Sequence, residues 1–167
     1  MLAVQLEPAV AVPPVRYAWD ADTEILSASV APQGVRESAA GVCGSLEVQG
    51  DDGSWLSLEL ADGALTGAQI AVWPELRRRS GLHPPDAEPA RAAVRIERSS
   101  NGPISVELTT RVAAEADARA GHLHFRLGRA PIERVARIAD RLLLELDAGG
   151  GIAGFWLLNV PPIPTDS

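Results

Sequence analysis

Leu58-Glu59-Leu60, a glycine turn, and then Gly67-Ala68-Gln69-Ile70-Ala71-Val72-Trp73-Pro74 decide how this chain reads. They are answered by Leu144-Glu145-Leu146, a second glycine turn, and Gly154-Phe155-Trp156-Leu157-Leu158-Asn159-Val160-Pro161. In both stretches a glycine stands seven residues before the proline that closes an apolar run. The echo extends upstream. Asp20-Ala21 leads to Leu26 and Val30, and Asp117-Ala118 leads to Leu123 and Leu127 at the same spacings. A duplicated strand–turn–strand unit supplies two halves of a core, each completing the other.

Outward from these hairpins, apolar alternation bounded by turn residues gives mostly strands. Leu2 to Leu6, Val10 to Tyr17, Ile25 to Val30, Ser45 to Gln49, Ser54 to Leu60 and Leu65 to Trp73 fill the first part. Gly50-Asp51-Asp52-Gly53 and Asp62-Gly63 are hairpin turns. Pro13-Pro14 confines its segment to a sheet edge, because proline donates nothing to a ladder. From Pro74 to Pro89, four prolines and an arginine run interrupt the periodicity and mark a connector. Ala93 to Glu97, Ile104 to Thr110, His122 to Leu127, Leu142 to Leu146 and Ile152 to Val160 are the later strands. Ile132, Val135, Ile138, Ala139 and Leu142 recur at three and four residues, the spacing of a helical stripe. A helix over 131–140 is therefore in competition with a strand, and Gly34 to Gly44 could hold a comparable helix or a loop. The expected fold is mainly β, or α+β with one or two short helices. It comprises two like modules packed with an approximate two-fold relation: 1–79 with an N-terminal strand, a Pro-rich connector at 80–91, and 92–163.

Composition bounds the chemistry. The 167 residues carry a net charge of −7, and the basic residues are all arginine. Without lysine, Schiff-base catalysis and a P-loop are impossible. The acidic balance argues against a nucleic-acid binder, which needs a basic face to displace counterions. Arg77-Arg78-Arg79 is the basic cluster, read as a solvated strand exit rather than a phosphate site. No run approaches the ~20 apolar residues of a membrane helix. The first fifteen residues lack Lys and Arg, and Cys43 has no second cysteine to pair with. Both features lead us to expect a cytoplasmic protein. The arginine-, alanine- and glycine-rich vocabulary is that of a GC-rich bacterial genome.

The second copy resembles a family of short, uncharacterised bacterial domains. Their pattern is an aspartate turn before a strand, an aliphatic-aspartate pair, a glycine turn and a Gly-Ile-type strand. Asp117, Leu123, Phe125, Leu144, Leu146, Asp147, Gly151, Gly154 and Leu157 carry the resemblance, and Tyr17, Asp20, Asp22, Leu26, Leu58, Gly63, Gly67 and Ile70 carry it in the first copy. The acidic residue that usually ends the family's last strand is absent. Ala71-Val72 and Leu158-Asn159 stand near its place. Some members look like the antitoxin half of small operons, so the resemblance implies protein binding and no catalytic residues.

Four groups of residues are candidate sites. His122 and His124 fall on one face of a strand, with Arg126, and two imidazoles at i and i+2 can chelate zinc, copper or nickel. A third ligand would have to come from His83, Cys43 or a carboxylate, and Arg126 would repel the cation. Cys43 with His83 and an aspartate is a nominal triad without supporting spacing, and Cys43 has no basic neighbour to stabilise a thiolate. Asp20, Asp22 and Glu24, or Asp51 and Asp52, lack the ligand spacing of a calcium loop and fit turn chemistry instead. Trp19, Trp55, Trp73 and Trp156 are read as core or core-edge residues rather than exposed anchors. No cofactor is expected. The leading function is a non-catalytic interaction or self-association module, with itself or another protein as partner and neither nucleic acid nor membrane; the strand at residues 2–12 is expected to add to a sheet of its own subunit or of a neighbour, which favours a homodimer. The alternative is a small-molecule or metal-binding protein, or an enzyme, with its site near His122 and His124 or between the modules.

Overall fold

A computed structural model describes residues 2–30, 43–96 and 103–162. They form strands and turns without a helix. The first half contributes β1 (Leu2–Pro8), β2 (Val15–Asp20), β3 (Ile25–Val30), β4 (Gly44–Gly50), β5 (Trp55–Ala61) and β6 (Ala64–Val72). The short β7 (Leu76–Arg78) and the long β8 (Glu88–Ile96) follow. The second half contributes β9 (Ile104–Thr110), β10 (Val112–Asp117), β11 (His122–Leu127), β12 (Arg134–Ala139), β13 (Leu142–Leu146) and β14 (Ile152–Leu157). The protein is therefore all-β in its described part. No helix there is long and apolar enough to cross a membrane.

The duplicated hairpins are β5–β6 and β13–β14. Asp62 and Gly63 both take positive φ (52° and 76°), the conformation that a two-residue hairpin turn demands. The strand order β2-β3-β6-β5-β4 in the first half recurs as β10-β11-β14-β13-β12 in the second. Registers recur as well: Leu26 opposes Ile70 as Leu123 opposes Leu157, and Glu59 opposes Gly67 as Glu145 opposes Gly154. Leu58, Leu60, Leu144 and Leu146 are all buried and belong to one core cluster shared by both halves. Phe125 and Phe155 stack at its centre, 4.9 Å apart. The hydrophobic effect thus acts on a single interior to which each half contributes one wall.

Exchanged strands tie the halves together. β1 pairs antiparallel with β8, and Val4 lies directly opposite Val94. Their backbone N–H groups donate to opposite glycine turns, Val4 to the Gly150 carbonyl at 2.8 Å and Val94 to the Gly63 carbonyl at 2.7 Å. β9 runs parallel along β4, while β8 pairs parallel with β12. Asp140, in the turn after β12, accepts from Val15 N–H through Oδ1 at 2.8 Å and donates its own N–H to the Pro13 carbonyl.

Several expectations are corrected by these pairings. Residues 134–139 are strand β12, not helix, and its buried residues do not alternate strictly because a register shift falls between Arg137 and Ala139. The bulge puts Ile138 and Ala139 both in the interior and mimics a helical stripe. The stretch 34–42 lies outside the described residues. The Pro-rich segment is not without regular structure: Leu76–Arg78 and Glu88–Arg91 belong to strands. The residues before Pro13 end their strand at Pro8, and β2 begins only at Val15. Strand β10 was not anticipated.

Candidate functional site

The alternation of β11 places Leu123, Phe125 and Leu127 in the core and leaves His122, His124 and Arg126 half-buried. The sheet face that carries His124 also carries Trp156 of β14 and Leu143 and Glu145 of β13, since His124 opposes Trp156 and Leu143 opposes Trp156. Leu82 packs on this face from the segment after β7. With Leu143, Trp156 and Leu158 it forms a second, smaller apolar cluster.

A carboxylate sits within this apolar cover. Glu145 is 3% exposed. Its Oε1 lies 2.6 Å from Nε2 of His124, and its Oε2 accepts from the indole Nε1–H of Trp156 at 3.2 Å. The imidazole stacks on the indole with centroids 4.2 Å apart. A buried carboxylate needs such partners, because an uncompensated charge there would be far costlier than the ordering of two side chains. Arg126 turns away from the pair and donates to the carbonyls of Ala153, Leu127 and Ala130. Nδ1 of His122 accepts the Asn159 N–H at 3.3 Å. The two histidines are thus each engaged, and no serine, threonine or cysteine is a hydrogen-bond partner of His124 among the described residues. No group of three or more His, Cys, Asp and Glu placed to hold a metal ion occurs among those residues either.

Asp117 holds the cover in place. Its Oδ1 accepts the N–H groups of Arg119 and Ala120, and its Oδ2 those of Gly81 and Leu82. These bonds, foremost that from Ala120, hold its carboxyl below the usual carboxylate range. Asp20 caps its own turn in the same way through Asp22 and Thr23, and Asp52 bonds the Ser54 N–H and hydroxyl, so the acidic segments do turn chemistry. Cys43 is exposed. Of the tryptophans, Trp156 is buried, and Trp19 and Trp73 are half-buried and stacked 5.6 Å apart against the core. Trp55 is 42% exposed and packs in neither apolar cluster, which corrects for it the expected core or core-edge position.

A second feature was not foreseen. Among the described residues β2 pairs only with β3, and β9 only with β4, so each presents a side that no described strand fills. Along β2 lies a groove of about 370 Å³ whose walls include Arg16, Tyr17, Arg141, Asn159 and Pro161. Tyr17 donates its hydroxyl to the Leu158 and Arg141 carbonyls, and the Arg141 guanidinium lies 5.0 Å from its ring centroid. Burial pushes the phenol's pKa well above its ordinary value. The sequence signal for an open edge is weak, since it depends on which strands are neighbours and not on the strand's own residues. No protein-family model matches the chain, and a search of curated proteins found no match.

Proposed function

We propose that this protein is a non-catalytic interaction module that recognises other chains, copies of itself included, by adding strands to its open sheet edges. The observation that carries this reading is the side of β9 that is unpaired among the described residues. It is seven residues long, carries Glu107 as its one charged residue, and exposes Leu108 to 37%. Edges of that kind are templates for pairing unless they are shortened, charged or covered. The reading includes two like modules about an approximate two-fold passing between Val4 and Val94; the reciprocal bonds from these valines to the Gly150 and Gly63 turns support it.

The rival is a ligand- or metal-binding protein, or an enzyme, with its site at His122 and His124 or between the halves. Against it, the imidazoles of both histidines are already partnered. The groove between the halves is lined mainly by apolar groups such as Val12, Val30, Leu65 and Ile138, and its one arginine, Arg91, is occupied by Glu7 and the Asp62 carbonyl. An apolar groove with few free polar groups suits a macromolecular partner better than a small polar ligand.

Sedimentation across the micromolar range tests the self-association part. A dimer that is lost in Leu108→Lys is the expected result. A 17.6 kDa species at every concentration would refute self-association through β9.

A further inference from the structure

β2 and β10 occupy equivalent places in the repeated strand order, but among the described residues only β10 has its outer side filled. There β7 runs parallel to it, Leu76 opposite Ala114, Arg77 opposite Glu115 and Arg78 opposite Ala116, and the Arg79 N–H donates to the Ala116 carbonyl. The same groups on β2 belong to Tyr17 and Trp19. Val15 also faces outward, but its N–H is taken by Asp140 and its carbonyl by Arg141 at 2.5 Å. This assigns the ladder to β3 to the alternate residues Arg16, Ala18 and Asp20. The backbone groups of Tyr17 and Trp19 have no hydrogen-bonded strand partner among the described residues.

The side chains add a charge pattern. Transferred onto β2 in the register that β7 keeps on β10, a strand would place its residue at the Glu75 position opposite Arg16. Its residue at the Arg79 position would fall opposite Asp20. Arg16 and Asp20 are exposed, and Arg141 lies beside Arg16 in the groove wall. The β2 edge is thus positive where such a strand would begin and negative where it would end, with Asp22 and Glu24 extending the negative end. In β7 itself this polarity is Glu75-Leu76-Arg77-Arg78-Arg79, and Arg79 forms an ion pair with Glu115 at 3.1 Å.

We propose that the open side of β2 binds an extended peptide segment of another protein, in parallel orientation, with an acidic residue followed four positions later by a basic one. This rests on the interaction reading above and specifies its partner. Backbone hydrogen bonds to Tyr17 and Trp19 supply the pairing, while Arg16 and Asp20 set register and direction, the usual division of labour in strand addition.

The probe is a synthetic peptide with the sequence Trp-Pro-Glu-Leu-Arg-Arg-Arg-Ser, titrated into the full chain while backbone amide shifts are followed. The expected result is saturable shifts at the Tyr17 and Trp19 amides. Arg16→Glu, at an exposed position, should weaken binding about tenfold, and a peptide with Lys in place of its Glu should recover that loss, as expected for one partly desolvated ion pair. Shifts confined to Ala114 and Ala116 would mean that the probe only exchanges with β7, and would overturn the proposal. So would charge-independent binding, concentration-dependent shifts at Tyr17 and Trp19 without peptide, or a tenfold gain in affinity on removing residues 163–167, which would make those residues the occupant. The wild-type titration depends on no variant folding. Peptide binding retained by Leu108→Lys separates this edge from β9, so either proposal can fail alone.

Discussion

Replacing Gly154 by alanine probes the reason for the repeated glycine. An added Cβ would lie 2.5 Å from the Phe125 carbonyl oxygen and 2.5 Å from Oε1 of Glu145. Neither can retreat easily. The carbonyl belongs to the central strand β11, and the carboxylate is held between His124 and Trp156. Overpacking a close-set interior costs about 1–3 kcal/mol. Displacing a buried carboxylate from its partners adds about 1–3 kcal/mol. Relief of glycine's backbone entropy returns about 0.5–1 kcal/mol. The net expectation is a loss of about 2–4 kcal/mol. The equivalent Gly67→Ala meets the Ala28 carbonyl at 2.6 Å, but Oε2 of exposed Glu59 lies at 3.1 Å and can swing into water. Its cost should be only about 1–2 kcal/mol. Urea unfolding followed by tryptophan fluorescence, with an unchanged slope, measures both. In a Glu145→Ala background the cost of Gly154→Ala should fall towards that of Gly67→Ala, because the two residues then no longer share a contact. Gly154→Ala within about 0.5 kcal/mol of wild type, or no worse than Gly67→Ala, would refute the reasoning.

Two further outcomes follow from the same face. His124→Ala leaves Glu145 with Trp156 alone and should cost about 1–3 kcal/mol, and a double-mutant cycle with Glu145→Ala should show coupling of about 1 kcal/mol or more; additivity would mean that the 2.6 Å contact contributes no net stability. Because backbone N–H groups depress the Asp117 carboxyl, its contribution is fully present above the ordinary carboxylate range and is lost as pH falls through the lowered folded value. The melting temperature of Asp117→Asn should therefore fall less steeply than that of wild type below about pH 4, and parallel curves would show that the four bonds do not discriminate between ionised and neutral forms.

What could be read in the sequence was what neighbours in the chain decide. Asp62-Gly63 sets a tight turn through its own backbone preferences, and the alternation in His122–Leu127 sorts one strand's faces without reference to any other strand. Pairings between distant segments left no such mark. Nothing in Ile104–Thr110 announces a parallel partner in Gly44–Gly50, and nothing in Leu76–Arg78 announces β10. The stripe at Ile132, Val135 and Ile138 misled because one bulge and two-sided burial reproduce helical spacing: Val135 packs against the smaller cluster that contains Leu82, while Ala136 and Ile138 face the main core. The His124–Glu145 pair was half legible. The histidine's face was readable, but its partner lies two strands away.

The divergence between the halves has a physical logic that bears on function. Equivalent outer-face positions hold Ser27 and His124, Gln69 and Trp156, Ser57 and Leu143, Glu59 and Glu145. The second member of the first three pairs is the more apolar or aromatic, and that is the half covered by Leu82. The cover stays because Asp117 spends two of its four bonds on Gly81 and Leu82, whereas Asp20 bonds only within its own turn. The same connector also fills the edge of β10 with β7 on its way. One segment therefore closes both the face and the edge of the second half, and its Arg79 pairs with Glu115 on that edge. The first half keeps a polar face and, among the described residues, a β2 that pairs on one side only. Of the two equivalent outer strands, β2 is thus the one left for strand addition, and grafting a covalently linked Glu-Leu-Arg-Arg-Arg segment beside it should protect the Tyr17 and Trp19 amides from hydrogen exchange while leaving those of Ala114 and Ala116 as they are.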